Sequence, residues 1–309
     1  QELKNSILQL AIQGKLVEQR PEEGTAEELY AQIQAEKQAL IKAGKIKKEK
    51  PLPEITEDEV PFEIPENWAW TTIEDVCSKI GSGSTPRGSN YSVNGIPFFR
   101  SQNIFDDGIV YSDIKYISEE VHLSMISTEV WANDVLLNIT GGSLGRCAVV
   151  PSDFGRGNVS QHVCILRPIY VLPQYLHGFI LSAHFSQYME VTGSGREGLP
   201  KYNLEKMLIP IPPIHEQSRI AKEIAFWWSF VNRIESEAQN LLNTINQTKC
   251  KILDLAIHGK LVPQDPNDEP AKDLLKRINP KFTPCDNAHD TNQLPNSWCW
   301  TTLGSLFQH

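Results

Sequence analysis

The chain has 309 residues, 22% of them charged, and a formal net charge of −9. That length admits one large domain or two modest ones, and the composition is that of an ordinary soluble globular protein. Residues 1–65 carry 13 acids against 9 bases, residues 66–215 carry 14 against 10 and residues 216–309 carry 11 against 10, so no segment is a basic domain and any nucleic-acid role must rest on local cations. The six cysteines (Cys77, Cys147, Cys164, Cys250, Cys285, Cys299) form no C-x-x-C pair. This argues against a zinc ribbon or redox motif and fits reduced thiols in the cytoplasm. No apolar run approaches the roughly 18–20 residues of a membrane span, and no signal-peptide pattern opens the chain. It opens on Gln1 instead of methionine, which points to a fragment or a truncated chain.

In chain order, residues 3–13 read as the end of a helix, stopped by Gly14. Residues 25–43 form a second predicted helix, with Thr25 and Glu28 in capping-box spacing. It runs into lysine-rich residues 45–50 and then a Pro/acid linker ending at Pro65. The lysine run fits a solvated helix end better than a phosphate contact. Residues 66–213 read as mixed, with strands prevailing: 98–99, 109–111, 135–139, 148–150 and 162–166 are short apolar runs bounded by Gly, Asn, Asp or Pro. Residues 173–191 then read as one amphipathic helix, offering Tyr175, Phe179, Ile180, Phe185 and Tyr188 for packing. A short helix near Asn203 precedes the strand-like residues 207–211.

The clearest periodic signal follows. Ile220, Ile224, Trp227, Val231, Ile234, Ala238, Leu241, Ile245, Thr248, Ile252 and Leu255 alternate in spacings of four and three, with no Gly or Pro over 216–258. That is a heptad seam on a helix roughly 60 Å long. Its apolar stripe cannot bury itself, so it predicts a partner helix.

A repeat of domain size is visible as well. Ile7-Leu8-Gln9-Leu10-Ala11-Ile12-Gln13-Gly14-Lys15-Leu16-Val17 returns as Ile252-Leu253-Asp254-Leu255-Ala256-Ile257-His258-Gly259-Lys260-Leu261-Val262. Trp68-Ala69-Trp70-Thr71-Thr72-Ile73 returns as Trp298-Cys299-Trp300-Thr301-Thr302-Leu303, with Pro65 and Pro295 ahead of the two copies. Leu3, Ile7 and Leu10 share the seam phase of Thr248, Ile252 and Leu255, which makes the N-terminal helix the tail of an equivalent long one. A period this long fits duplication of a whole domain with its connecting helix, not a solenoid.

The expected fold class is α+β: a mixed, β-rich domain attached to long coiled-coil helices. The expected division is an N-terminal helical region and linker (1–65), the β-rich domain (66–213), a central long helix (214–260), a linker with a short helix (261–295) and the opening of a second, similar domain (296–309).

The same chain offers little catalytic chemistry. Pro212-Pro213 is flanked by Ile211 and Ile214, so it lacks the polar acceptor and the aromatic of an amino-methyltransferase loop. No G-x-G-x-x-G or G-x-x-x-x-G-K-[ST] cradle occurs, and the histidines show no metal spacing. The residues thus argue for a non-catalytic protein with neither bound cofactor nor metal.

Four blocks resemble one family. Residues 208–224 look like the strand, double proline and E-Q-x-R-I helix start that closes each target-recognition domain in the specificity subunits of type I restriction-modification systems. Residues 96–104 resemble their I-P-F-x-R-x-x-N-I block, residues 140–146 their Gly-rich turn and residues 158–161 the N-x-x-Q strand entry that follows it. The A-I-x-G-K-L-V repeats resemble the family's conserved helices. Nearly the whole chain is covered in the expected order, although a second recognition domain and the last conserved helices are missing.

The resemblance implies a subunit that reads one half of a bipartite site in double-stranded DNA. It implies adenine methyltransferase and restriction/translocase subunits as partners, with S-adenosylmethionine on the methyltransferase. Self-association through the coiled coil is a further expectation. A non-catalytic coiled-coil scaffold and a stand-alone DNA-binding regulator stay open as alternatives.

Base readout uses Arg for guanine and Asn or Gln for adenine, while Ser and Thr grip phosphates. Candidate DNA contacts are therefore Thr85 and Arg87 in a Gly/Ser-rich loop, Arg100, Gln102 and Asn103 after an apolar strand, Ser143 and Arg146 in a Gly-rich turn, and Arg196 and Lys201 in the loop after a helix. An ordinary surface loop accounts for the first group equally well, and strand-end hydrogen bonding for the second. Glycine permitting positive φ competes for the third. Candidate interface residues on the seam are Ile220, Ile224, Trp227, Val231, Ile234, Leu241, Ile245, Ile252 and Leu255.

Overall fold

The computed structural model describes residues 2–48, 55–192, 198–285 and 294–306. Two compact units divide the chain at Val231/Asn232. In chain order the first carries α1 (Glu2–Ile12), α2 (Ala26–Lys42), β1 (Ala69–Thr72), α3 (Ile73–Val76), β2 (Cys77–Ser82), β3 (Ile96–Phe99), β4 (Ile104–Phe105), β5 (Gly108–Ile109), β6 (Lys115–Ile117) and α4 (Glu119–Ser124). It continues with β7 (Glu129–Val130), β8 (Val135–Asn138), β9 (Cys147–Val149), β10 (Gly157–Val159), β11 (Val163–Pro168), α5 (Pro173–Ile180), α6 (Ala183–Tyr188), α7 (Lys201–Lys206) and β12 (Leu208–Ile211). The long α8 (Ile214–Ile257) begins in the first unit and runs on into the second, which also holds α9 (Ala271–Ile278).

Two four-stranded sheets make the β-rich part. One is antiparallel in the order β2-β11-β8-β9. The other runs β6-β3-β10-β7 with a parallel β3/β10 pair. All four residues of β8 are buried, and they alternate between two cores. Val135 and Leu137 join the helix-side core with Leu8, Ile12, Tyr175, Phe179 and Ile220. Leu136 joins Phe99, Ile104, Val159 and Ile165 on the other face. A strand covered on both faces loses its polar alternation, which is why β8 and β11 read as continuous apolar runs.

The domain's entry and exit are tied together. β1 pairs antiparallel with β12, Ala69 opposite Ile211 and Thr72 opposite Leu208. This brings Trp68 beside the start of α8, where its indole N–H donates to Glu216 Oε2 at 3.0 Å and Gln19 Nε2 donates to Glu216 Oε1 at 2.6 Å. Burial pushes the Glu216 carboxyl above the usual range, partly offset by those two donors. Arg219, one turn on, grips Glu23 through two hydrogen bonds at 2.6 and 2.9 Å, which holds the Glu23 carboxyl below the usual range.

The α+β class is observed, as is the capping box at Thr25. Three expectations need correction. The helix expected over 173–191 is two, because the Ser182 hydroxyl turns to accept the Phe185 N–H at 3.2 Å and caps a new helix. Of the strand expected over 109–111 only Ile109 is extended in β5, and Val110 and Tyr111 are exposed. The seam is not uniform either. Ile220, Ile224 and Val231 are buried in the first unit's own core, whereas Trp227, Ile234, Leu241, Ile245 and Ile252 are exposed and Leu255 half-buried. Likewise α1 buries Ile7, Leu8, Ala11 and Ile12 but exposes Leu3 and Leu10, so its buried face is rotated from the seam phase.

Candidate nucleic-acid interface

Five strand ends converge on one rim of the first unit, and backbone hydrogen bonds tie their loops together. Ser84 N–H donates to the Val159 carbonyl, Gly83 N–H to Val163 and Ser160 N–H to Phe99, each within 2.9–3.1 Å. This joins the loop after β2 to those after β10 and β3. A Cβ at Gly83 would lie 1.9 Å from the Val159 carbonyl oxygen, so glycine is required for this approach. Asn138, the last residue of β8, donates its amide to the Ser101 carbonyl at 2.9 Å. Ile139 N–H reaches His162 O, and Leu199 N–H reaches Ile139 O, which brings in the segment leading to α7.

Most of the sequence-derived candidates meet at this rim. Thr85 is exposed and donates its hydroxyl to Gln161 Oε1 at 2.8 Å. Arg87 is exposed in the same loop. Ser143 and Arg146 sit in the turn between β8 and β9, closed by Arg146 N–H to Ser143 O and Gly145 N–H to Asn138 O. The exposed Arg146 guanidinium lies 5.0 Å above the Phe105 ring, a cation–π contact that holds it without neutralising it. Gln102 is exposed and Arg100 partly so, and both bind Asp113.

Two candidates behave differently. Asn103 is 1% exposed. Its Oδ1 accepts from Arg100 N–H, and its amide donates to the Val110 and Ser112 carbonyls, so it builds the loop and has no face left for a base. Lys201 pairs with Glu205 at 2.7 Å within α7. Arg196 lies outside the described residues.

Two polar groups at the rim were missed. Asn138 Oδ1 and Ser160 Oγ are both buried without a hydrogen-bond partner, an unusual state for buried polar atoms. The lone asparagine closing Val135-Leu136-Leu137 was the available signal. Asn158, by contrast, is a fully satisfied structural residue bonded to His122, Met125 and Thr128.

At the far end of the β2-β11-β8 sheet lies a cavity of about 580 Å³ whose lining includes Lys37, Lys45, Lys47, Lys79, Trp131 and Arg167. Lys79 donates to the Ser127 and Glu129 carbonyls, and burial lowers its pKa. Arg167 is neutralised by a two-pronged bond to buried Asp134 and stacks under Trp131 at 3.5 Å. Lys45 and Lys47 of the lysine run line this cavity, while residues 49–50 are outside the described set.

Among the described residues no group of His, Cys, Asp or Glu could hold a metal ion, and no helix is long and apolar enough to cross a membrane. Buried Cys147 and Cys164 are held as neutral thiols by burial, Cys164 being pushed up to about 12.

Residues 65–247 match the family described as type I restriction modification DNA specificity domain. The specificity subunit of the EcoAI type I restriction enzyme of Escherichia coli is 30% identical over 377 aligned residues, which cover 99% of this chain and 62% of that protein. The EcoEI specificity subunit, also of Escherichia coli, is 31% identical over 98% of this chain and 61% of its own length. The chain thus spans less than two thirds of either relative. A solved structure concerned with complex assembly and conformational transition of the type I R-M system superposes with a TM-score of 0.54 at 22% identity, covering 76% of this chain and 55% of that one; it bears on the fold alone.

Proposed function

Because the chain belongs to the type I restriction-modification DNA specificity domain family, we propose that residues 66–213 read one half of a split double-stranded DNA site and that α8 scaffolds the subunits acting on that DNA. The observation that carries this reading is the rim. It gathers Thr85, Arg87, Gln102, Ser143 and Arg146 from loops far apart in sequence onto one hydrogen-bonded surface. These are groups suited to phosphates and base edges. The rigid sheets behind them supply the fixed backbone from which exposed loops bind.

An adenine methyltransferase carrying S-adenosylmethionine and a restriction/translocase subunit are the proposed partners, and the exposed stretch of the seam from Ile234 to Ile252 is the proposed contact face. Self-association through the same face is the other use open to it. The chain itself is read as non-catalytic. A net charge of −9 weakens long-range attraction to DNA, so the reading assigns part of the phosphate grip to partner subunits.

The test is co-expression with a cognate adenine methyltransferase subunit, followed by mapping of methylated adenines across a genome. A methylated motif that depends on this chain, and changes when residues 66–213 are exchanged, is the expected result. A stable complex with no chain-dependent methylation would refute the reading.

A further inference from the structure

Gln102 and Arg100 do not stand free at the rim. Gln102 Nε2 donates to Asp113 Oδ2 at 2.9 Å. Arg100 Nη2 donates to the Asp113 carbonyl at 2.8 Å and approaches the same carboxylate oxygen at 3.4 Å. Asp113 is 70% exposed against 26% for Arg100. Its φ of 54° lies in the left-handed region, which Asp tolerates better than most residues. Its neighbour Ser112 is fixed through the Asn103 amide. The Asp113 backbone is thus constrained, and its carboxylate is shared by Arg100 and Gln102.

We propose that Gln102 is an adenine-reading residue and that Asp113 is the residue positioning it; this rests on the DNA-recognition reading above. A carboxylate only accepts hydrogen bonds, so the Gln102 amide must face Asp113 with its nitrogen. That choice removes the two-fold ambiguity of the amide. The second N–H and Oε1 are left for a base, a donor beside an acceptor. Adenine presents the complement in the major groove, N7 accepting and N6 donating. Guanine presents two acceptors, O6 and N7, and meets Oε1 with like polarity.

Arg100 has a different part. Its charge is engaged by Asp113, and its Nε is buried with no partner, so it anchors the aspartate instead of reaching outward. An exposed glutamine that is already oriented loses less side-chain freedom on binding than a free one.

The test selects bound sequences from randomised duplex DNA, using the full chain assembled with its methyltransferase subunit, for the parent and for Gln102→Ala, Asp113→Asn and the double variant. Asn keeps the left-handed backbone accessible but can face Gln102 with either atom. Each single change is expected to relax an adenine preference at one and the same position by about tenfold, within the range of one bidentate base contact. The other positions, the non-specific affinity and the melting temperature stay as in the parent, and the double variant is no worse than Gln102→Ala. The proposal is overturned if Gln102→Ala leaves every position unchanged. It is overturned equally if Asp113→Asn tightens binding to all sequences alike, because the carboxylate would then only repel phosphates. A parent complex with no preference at any position would overturn the recognition reading itself and this proposal with it.

Discussion

The two copies of the repeated segment have the same local structure and opposite surroundings. In the first, Gly14 has φ 68°, Pro65 and Trp68 pack against it, Gln19 Nε2 donates to its carbonyl at 3.0 Å, and Ala26 N–H donates to Asn67 O at 2.8 Å. In the second, Gly259 has φ 63°, Pro295 and Trp298 pack against it, Gln264 Nε2 donates to its carbonyl at 3.0 Å, and Ala271 N–H donates to Ser297 O at 2.8 Å. The burial differs. Leu8, Ile12 and Trp68 are 2%, 1% and 5% exposed, while their counterparts Leu253, Ile257 and Trp298 are 64%, 64% and 38% exposed. Local sequence thus builds the turn twice, and among the described residues the apolar face is buried in the first copy and exposed in the second. Local hydrogen bonds and glycine geometry need no tertiary partner, whereas burial does.

This contrast predicts a graded series. Leu8→Ala should destabilise the first unit by about 2–5 kcal/mol, as large-to-small changes in a packed core do. Leu253→Ala should stay within about 0.5 kcal/mol, as an exposed change does. Chemical denaturation of the two variants compares them directly, and equal losses would break the distinction. Glu216→Ala leaves the Trp68 indole and the Gln19 amide without an acceptor, which should cost about 1–3 kcal/mol.

A further comparison sets the buried and exposed halves of the seam against each other. Ile220→Asp places a charge in the first unit's core and should unfold it. Changing Ile234 and Leu241 together to Asp should leave circular dichroism and melting unchanged but abolish assembly. An unchanged mass in solution for that double variant would remove the exposed seam as an interface.

The smallest expected effect is on pH dependence. Arg219 lowers the Glu23 pKa, so this pair's contribution is present above the unfolded carboxylate value of about 4.5 and is lost as pH falls through the lower folded value. Glu216 has the opposite sign. Its raised pKa favours the folded state at low pH, and that advantage is lost as pH rises from about 4.5 through the folded value. Arg219→Ala should therefore flatten the acid limb of a stability profile, and Glu216→Gln the limb just above it. Neither change would move the profile if these carboxyls were solvated as in the unfolded chain.

Much of this was legible in the sequence. The capping box of α2, the stop at Gly14, the long α8 and the repeat all rest on near-neighbour chemistry, which residue order encodes directly. The family blocks over residues 96–104, 140–146 and 158–161 fall at the rim, and Thr85, Gln102 and Arg146 carry side chains of the types that contact DNA. What stayed hidden depends on partners distant in the chain. Asn103 has the same type as a base-reading residue, yet the Val110 and Ser112 carbonyls consume it. Asp113 stands out only in the tertiary structure, where it faces Arg100 and Gln102 across a loop.

Residue order alone thus determined the elements, their caps and the duplicated turn, because those depend on contacts a few positions apart. Tertiary structure decided which half of the heptad seam is core and which polar side chains at the rim are free. Each of those depends on burial and hydrogen-bond satisfaction, properties of what packs from elsewhere in the chain.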